Sequence, residues 1–147
     1  MNYQLIMQAA LSLAKVAGDN GDVPVGAIVV NEAGEILGTG QNLREKNNDP
    51  SAHAEIVAMR QAAEKIGSWR LDDLTMVVTL EPCAMCAGAL YWSQMGKVVF
   101  AASDQKRGYS IHEKNLLHPK TKIERGILEA EASALVTKFF ENLRKNR

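Results

Sequence analysis

Two short runs, Leu74–Leu80 (Leu-Thr-Met-Val-Val-Thr-Leu) and Val98–Ala102, are almost wholly apolar and stand one helix-length apart. A strand reads this way when both of its faces are covered, because a strand with one wet face alternates polar and apolar residues. Between them, Pro82 suits the first position of a helix that continues through Ser93. Any fold for this chain must therefore place a sheet between two layers.

The remaining segments supply those layers. Ile6, Ala9, Ala10, Leu13 and Val16 recur at helical spacing over residues 3–17, with Gly18 as a stop. Val23–Val30 and Glu35–Gly40 flank Asn31-Glu32-Ala33-Gly34 and read as a hairpin. The polar loop Gln41–Pro50 precedes a helix that begins near Ser51 and runs through Ile56, Met59 and Ala63 to Gly67. Beyond Ala102, a loop over residues 103–121 leads to a short strand near Ile123 and a last helix. That helix sets Leu128, Ala132, Leu135, Val136, Phe139 and Leu143 on one stripe. Its first turn is acidic (Glu129, Glu131) and its end basic (Arg144, Lys145), which matches the helix dipole. The order predicts an α/β fold with a central mixed five-stranded sheet and helices on both faces.

At 147 residues, 46% hydrophobic and 23% charged, the chain has the size and composition of a single globular domain, 1–147, and not of a disordered or low-complexity segment. Its longest uncharged stretch, Pro82–Gly96, is 15 residues, short of the ~18–20 needed to span a membrane. Gln4 and Gln8 interrupt the early apolar residues and no positive charge precedes Lys15, so no signal peptide is visible. Only two cysteines occur, Cys83 and Cys86, which excludes a disulfide scaffold. The expected location is the cytoplasm, without a membrane partner. Net charge is zero, yet residues 1–96 carry six Lys/Arg against eleven Asp/Glu, and residues 97–147 carry eleven against six. Such asymmetry fits either a polyanion-binding face or a solvated loop and helix.

Three features converge on chemistry. His53-Ala54-Glu55 lies just inside one predicted helix start, and Pro82-Cys83-Ala84-Met85-Cys86 forms another, directly after a buried strand. The interval between them, about thirty residues or one helix plus one strand, can return both helix starts to one sheet edge. Cys83 and Cys86, at i and i+3, share a helix face, and helix N-termini favour thiolates. Two thiolates and one imidazole are three good zinc ligands, which leaves the fourth position for water. Because two thiolates cancel the metal's charge, that water needs a nearby base, and Glu55 is the candidate. On a regular helix Glu55 would point away from His53, so the pair can share a pocket only if His53 lies at an irregular first turn. Three other readings stay open: a redox Cys-x-x-Cys pair, a closed structural zinc completed by His112 or His118, and an RNA-binding module whose zinc is only structural.

His-x-Glu with Pro-Cys-x-x-Cys is the signature of zinc nucleobase deaminases. The chain resembles the cytidine-deaminase superfamily and, within it, bacterial tRNA-specific adenosine deaminases (the TadA type). The resemblance rests on Pro24-Val25-Gly26-Ala27, Asn48 to Glu55, Thr79 to Ala89, Leu117-His118-Pro119 and Gly126-Ile127-Leu128-Glu129 with Phe139-Phe140. It implies a three-layer α/β/α fold, one zinc ion per subunit held by His53, Cys83 and Cys86, and Glu55 as catalytic proton shuttle. It also implies conversion of adenosine to inosine at the wobble position of a tRNA anticodon, with Asn42 and Asp104 as substrate contacts and a homodimer as the working form. Two departures bear on substrate: Arg107-Gly108-Tyr109-Ser110-Ile111 replaces a loop of small residues, and Tyr91-Trp92 resembles guanine deaminases acting on free bases. The alternative function is accordingly a free base or nucleoside deaminase of guanine or cytosine type. Tyr109 fits two roles, stacking on an unpaired base or anchoring its loop.

Overall fold

The computed structural model describes residues 1–146. Its elements follow the chain as α1 (Tyr3–Asp19), β1 (Gly26–Val30), β2 (Ile36–Gln41), α2 (Arg44–Asn47), α3 (Ala54–Ile66), β3 (Thr75–Leu80), α4 (Ala84–Ser93), β4 (Lys97–Ala102), β5 (Lys122–Arg125) and α5 (Glu129–Lys145). The sheet order is β2-β1-β3-β4-β5, antiparallel at β1–β2 and β1–β3 and parallel at β3–β4 and β4–β5. The expected mixed five-stranded sheet between helical layers is therefore present.

Alternation within the central strands produces the layers. Ala27, Val29, Met76, Val78, Val98 and Phe100 pack with Ala54, Ala58 and Ala62 of α3 and Ala87 and Leu90 of α4. Ile28, Val30, Val77, Val99 and Ala101 point the other way, onto Met7, Ala10 and Leu11 of α1 and Ala132 of α5. Period two thus splits apolar runs between two cores. No helix is long and apolar enough to cross a membrane, among the described residues.

Register brings three loops together. Gly26 pairs with Gln41, Ala27 with Val78, and Leu80 with Ala102, so β2, β3 and β4 all end at one edge of the sheet. The segments that follow them, at 42–53, 81–83 and 103–111, emerge side by side. Gly40 tightens this corner. A Cβ there would overlap the Ala54 carbonyl oxygen, so only glycine lets the first turn of α3 lie directly on β2.

Four expectations need correction. Pro82 is not the first helical residue: α4 begins at Ala84 with Cys83 as its N-cap, because Cys83 forms an antiparallel bridge to Gly108 and must stay extended. Helix α1 runs past Gly18 to Asp19, and the chain turns instead at Gly21 (φ +84°). The polar loop after β2 contains the single turn α2. Of the stripe on α5 only Ala132 is buried, and Leu143 is 49% exposed.

Candidate metal centre and active site

His53 and Cys83 are the N-cap residues of α3 and α4, both with extended backbone (φ −73°, ψ 154° and φ −75°, ψ 176°), and neither side chain caps its own helix. An N-cap side chain ordinarily accepts a bond from one of the first free N–H groups. At α3 Asn42 performs this task from outside: its Oδ1 accepts the Ala54 N–H at 2.9 Å, and its Nδ2 donates to the Val23 carbonyl at 2.8 Å. The His53 ring is thereby free to face Cys83, with Nδ1 3.7 Å from Sγ. Cys86, on the first turn of α4, completes a group whose ligand atoms all lie within 4.8 Å of one another.

This trio fits a tetrahedral metal. Zinc bonds of about 2.3 Å to sulfur and 2.0–2.1 Å to nitrogen, at a tetrahedral angle, set the two donors about 3.6 Å apart. Both cysteines are free thiols, Cys86 buried and Cys83 half-buried. A hydrogen bond from the Cys86 thiol, with a further one from His53, lowers Cys83 to about 3 against the opposing effect of burial. The same bond to Cys83, reinforced by burial, pushes the Cys86 thiol up. The Cys83 bond also raises His53. Cys86 therefore has one proton to give up before both sulfurs can ligate.

Glu55 is the second residue of α3 and only 4% exposed. Since His53 lies outside the helix proper, Glu55 lies near enough to the trio for the charges of Cys83 and His53 to act on its carboxyl. Burial pushes it up to about 7, with the Cys83 charge acting in the same direction. Neither spare histidine joins the trio: His112 is exposed, and His118 packs against Tyr91 at 5.4 Å while its Nδ1 accepts the Lys120 N–H. Among the described residues, no fourth His, Cys, Asp or Glu belongs to the group.

Asp104 is the second residue of the loop after β4, and its Oδ1 accepts the N–H groups of Lys106 and Arg107, both at 3.1 Å. Tyr109 is the loop's anchor: it is 4% exposed, and its ring meets Phe100 edge-on at 6.3 Å, which leaves no face for a base. Lys106, Arg107, Lys114, Lys120, Lys122 and Arg125 are all exposed. So are Tyr91 and Trp92, at 39% and 73%.

Sequence reasoning missed two buried carboxylates beside the site. Asp22, 2% exposed, accepts from Arg44 at 2.7 Å and from the N–H groups of Val23 and Glu45, and so ties down α2. Glu81, 3% exposed, accepts from the N–H groups of Asp104 and Ser110. For Glu81 the available signal was position, a lone charge between a buried strand and the Pro-Cys helix start; Asp22 had none.

A mixed sheet between helical layers, with His, Cys and Cys gathered where two helices begin and a buried carboxylate alongside, defines the cytidine-deaminase-like class. Residues 1–144 match the model of the MafB19-like deaminases, and the chain belongs to that deaminase family. It is 42% identical to a tRNA-specific adenosine deaminase of Bacillus subtilis strain 168, over 98% of this chain and 92% of that one. It is 40% identical to the protein of that name from Haemophilus influenzae, over 97% and 85%. Among solved structures it resembles one from a study of A-to-I editing by tRNA:A34 deaminases at the wobble position (TM-score 0.82, 33% identity, 88% of this chain and 96% of that). A guanine deaminase from Bacillus subtilis is 39% identical over 70% of this chain and 66% of its own (TM-score 0.66).

Proposed function

We propose that this protein is a zinc-dependent hydrolase that converts adenosine to inosine at the wobble position of a tRNA anticodon. The observation that carries the reading is the His53–Cys83–Cys86 group with Glu55 buried against it. Near-full-length likeness to proteins named for that substrate supports it.

His53 Nδ1 and the sulfurs of Cys83 and Cys86 would hold one zinc ion. Bound there, zinc supplies a Lewis acid that lowers the pKa of a water. Glu55 takes one proton from the attacking water and delivers it to a purine ring nitrogen, then takes that water's second proton and passes it to the departing amine, so that the oxygen stays on the purine and ammonia leaves; positioned proton transfer of this kind contributes about 10²–10⁴-fold. Asn42 keeps one amide N–H and one lone pair beyond its two backbone bonds, and Asp104 keeps Oδ2, so each has capacity for a substrate contact. The exposed lysines and arginines between Lys106 and Arg125 suit the phosphates of a stem-loop. A second copy of the chain would complete the pocket wall, and the cytoplasm is where its tRNA substrate is found.

The second reading, deamination of a free purine, is favoured by likeness to the guanine deaminase and by the exposed Tyr91-Trp92 pair. Zinc-loaded protein incubated with tRNA, free guanine and free cytosine decides between them. Inosine in an anticodon loop is expected. Ammonia from guanine, with every tRNA unchanged, overturns the editing reading.

A further inference from the structure

Glu81 stands in no step above, yet it is a buried carboxylate two residues before Cys83. Its Oε1 accepts the Asp104 N–H and its Oε2 the Ser110 N–H, both at 3.0 Å, while its own N–H donates to the Ala102 carbonyl at 2.8 Å. One side chain thus clasps both ends of the segment 104–110. Between those ends Gly108 fits over the carboxylate: a Cβ on Gly108 would overlap Glu81 Cδ, although its backbone (φ −65°, ψ 149°) suits any residue. The clasped segment then pairs with the metal-site strand end, through the Cys83–Gly108 bridge and a 2.9 Å bond from the Tyr109 N–H to the Pro82 carbonyl.

A surface loop of this length is mobile unless tied, and ordering it during binding lowers affinity. Here the tie is made before any substrate arrives. Two backbone N–H groups on one carboxylate are charge-assisted bonds, and their donors lie in the segment that holds Asp104, Arg107 and Tyr109 beside Cys83. We propose that Glu81 is a positioning residue, which pre-orders segment 104–110 as the wall of the metal site and so sets how tightly the anticodon loop is held. The substrate half of this inference rests on the editing reading; the clasp itself does not.

Glu81→Gln keeps shape but offers one acceptor oxygen to two N–H donors, so one amide must let go. Gly108→Ala pushes on the same clasp from the other side and serves as a second, independent variant. Each is compared with the wild-type holoenzyme for zinc content, amide hydrogen exchange at 104 and 110, and steady-state deamination of an anticodon stem-loop. The expected result for both is one zinc per chain, protection at Asp104 or Ser110 reduced tenfold or more, KM raised about tenfold, and kcat within threefold of wild type. Wild-type protection, unchanged KM despite lost protection, or loss of zinc in step with activity overturns the proposal, the last by making Glu81 a support of the metal site. If Glu81→Gln does not fold, Gly108→Ala is read by the same criteria. A wild-type protein that leaves the stem-loop unedited overturns the editing reading instead, and amide exchange, which needs no substrate, still decides whether Glu81 holds the loop.

Discussion

At the start of α3 the N-cap residue is His53 and the second helical residue is the carboxylate Glu55; at the start of α4 the N-cap is Cys83 and the third helical residue is a second thiol, Cys86. Both helices begin with an extended residue whose side chain is withheld from capping. They differ in what the first turn then adds. In α4 the addition is a further candidate ligand, which the i, i+3 spacing places on the same face as the first. In α3 it is the carboxylate proposed as proton carrier, brought into the pocket because His53 stands outside the helical spiral. One local device therefore serves two chemistries, and the division can be broken one helix at a time.

The largest effect is expected at Glu55. Glu55→Gln removes the proposed proton carrier and leaves all three candidate ligand atoms, so turnover should fall about 10²–10⁴-fold while zinc content stays at one per chain. Metal analysis beside single-turnover deamination checks this. A variant that lost zinc as well would make Glu55 part of the metal's support and erase the division between the two helices.

The next effect concerns how each helix is seated. Helix α3 is pressed onto β2 where Gly40 meets the Ala54 carbonyl, with no room for a methyl group. Gly40→Ala should cost about 1–3 kcal/mol by overpacking and, by lifting the first turn of α3, displace His53 and Glu55 together. Thermal unfolding and zinc affinity should therefore fall in concert. A stability loss with unchanged zinc affinity would show that the seat of α3 and the metal site are independent.

How much of this was legible in the sequence follows the range of the forces involved. The strands of the sheet interior announced themselves because burial on both faces leaves no polar alternation, as in Met76-Val77-Val78. The metal group announced itself because ligand identity and spacing are local. The exchange of capping duty from His53 to Asn42 was illegible, since it depends on packing between residues twelve apart. Glu81 and Asp22 were overlooked because a carboxylate's burial depends on which distant backbone N–H groups the fold returns to it, here from 23 to 29 residues away. The stripe on α5 promised more burial than occurs: β5 is a short edge strand, and periodicity shows which face is apolar but not what lies opposite.

Asp22 extends the contrast to the loops. Unlike Glu81, it is paired with a cation, Arg44, as well as with backbone N–H groups. Burial alone would raise its pKa, but the Arg44 bond and the N–H groups of Glu45 and Val23 more than reverse that and hold it below the ordinary 3.8. A depressed folded-state pKa means stability that is fully present above 3.8 and lost as pH falls through the lower folded value. Asp22→Asn should cost about 1–3 kcal/mol at pH 7, and the gap from wild type should close in acid. Denaturant unfolding from pH 7 to pH 3 measures it; a gap independent of pH would mean that the pairing with Arg44 contributes nothing.

The smallest effect is the converse of Gly40→Ala. Gly88 lies within α4, and a Cβ there meets nothing within 4 Å. Glycine in a helix interior costs roughly 0.8–1 kcal/mol relative to alanine, chiefly through the freedom it gives the unfolded chain. Gly88→Ala should therefore raise stability by about 0.4–1 kcal/mol, or ~1–3 °C in Tm, with zinc content unchanged. The measurement is a thermal melt at low and at high protein concentration. A gain at both means that this face of α4 stays open in solution. A loss that grows with concentration means that a second copy of the chain covers Gly88, and α4 is then seated as tightly as α3, against a partner instead of a strand.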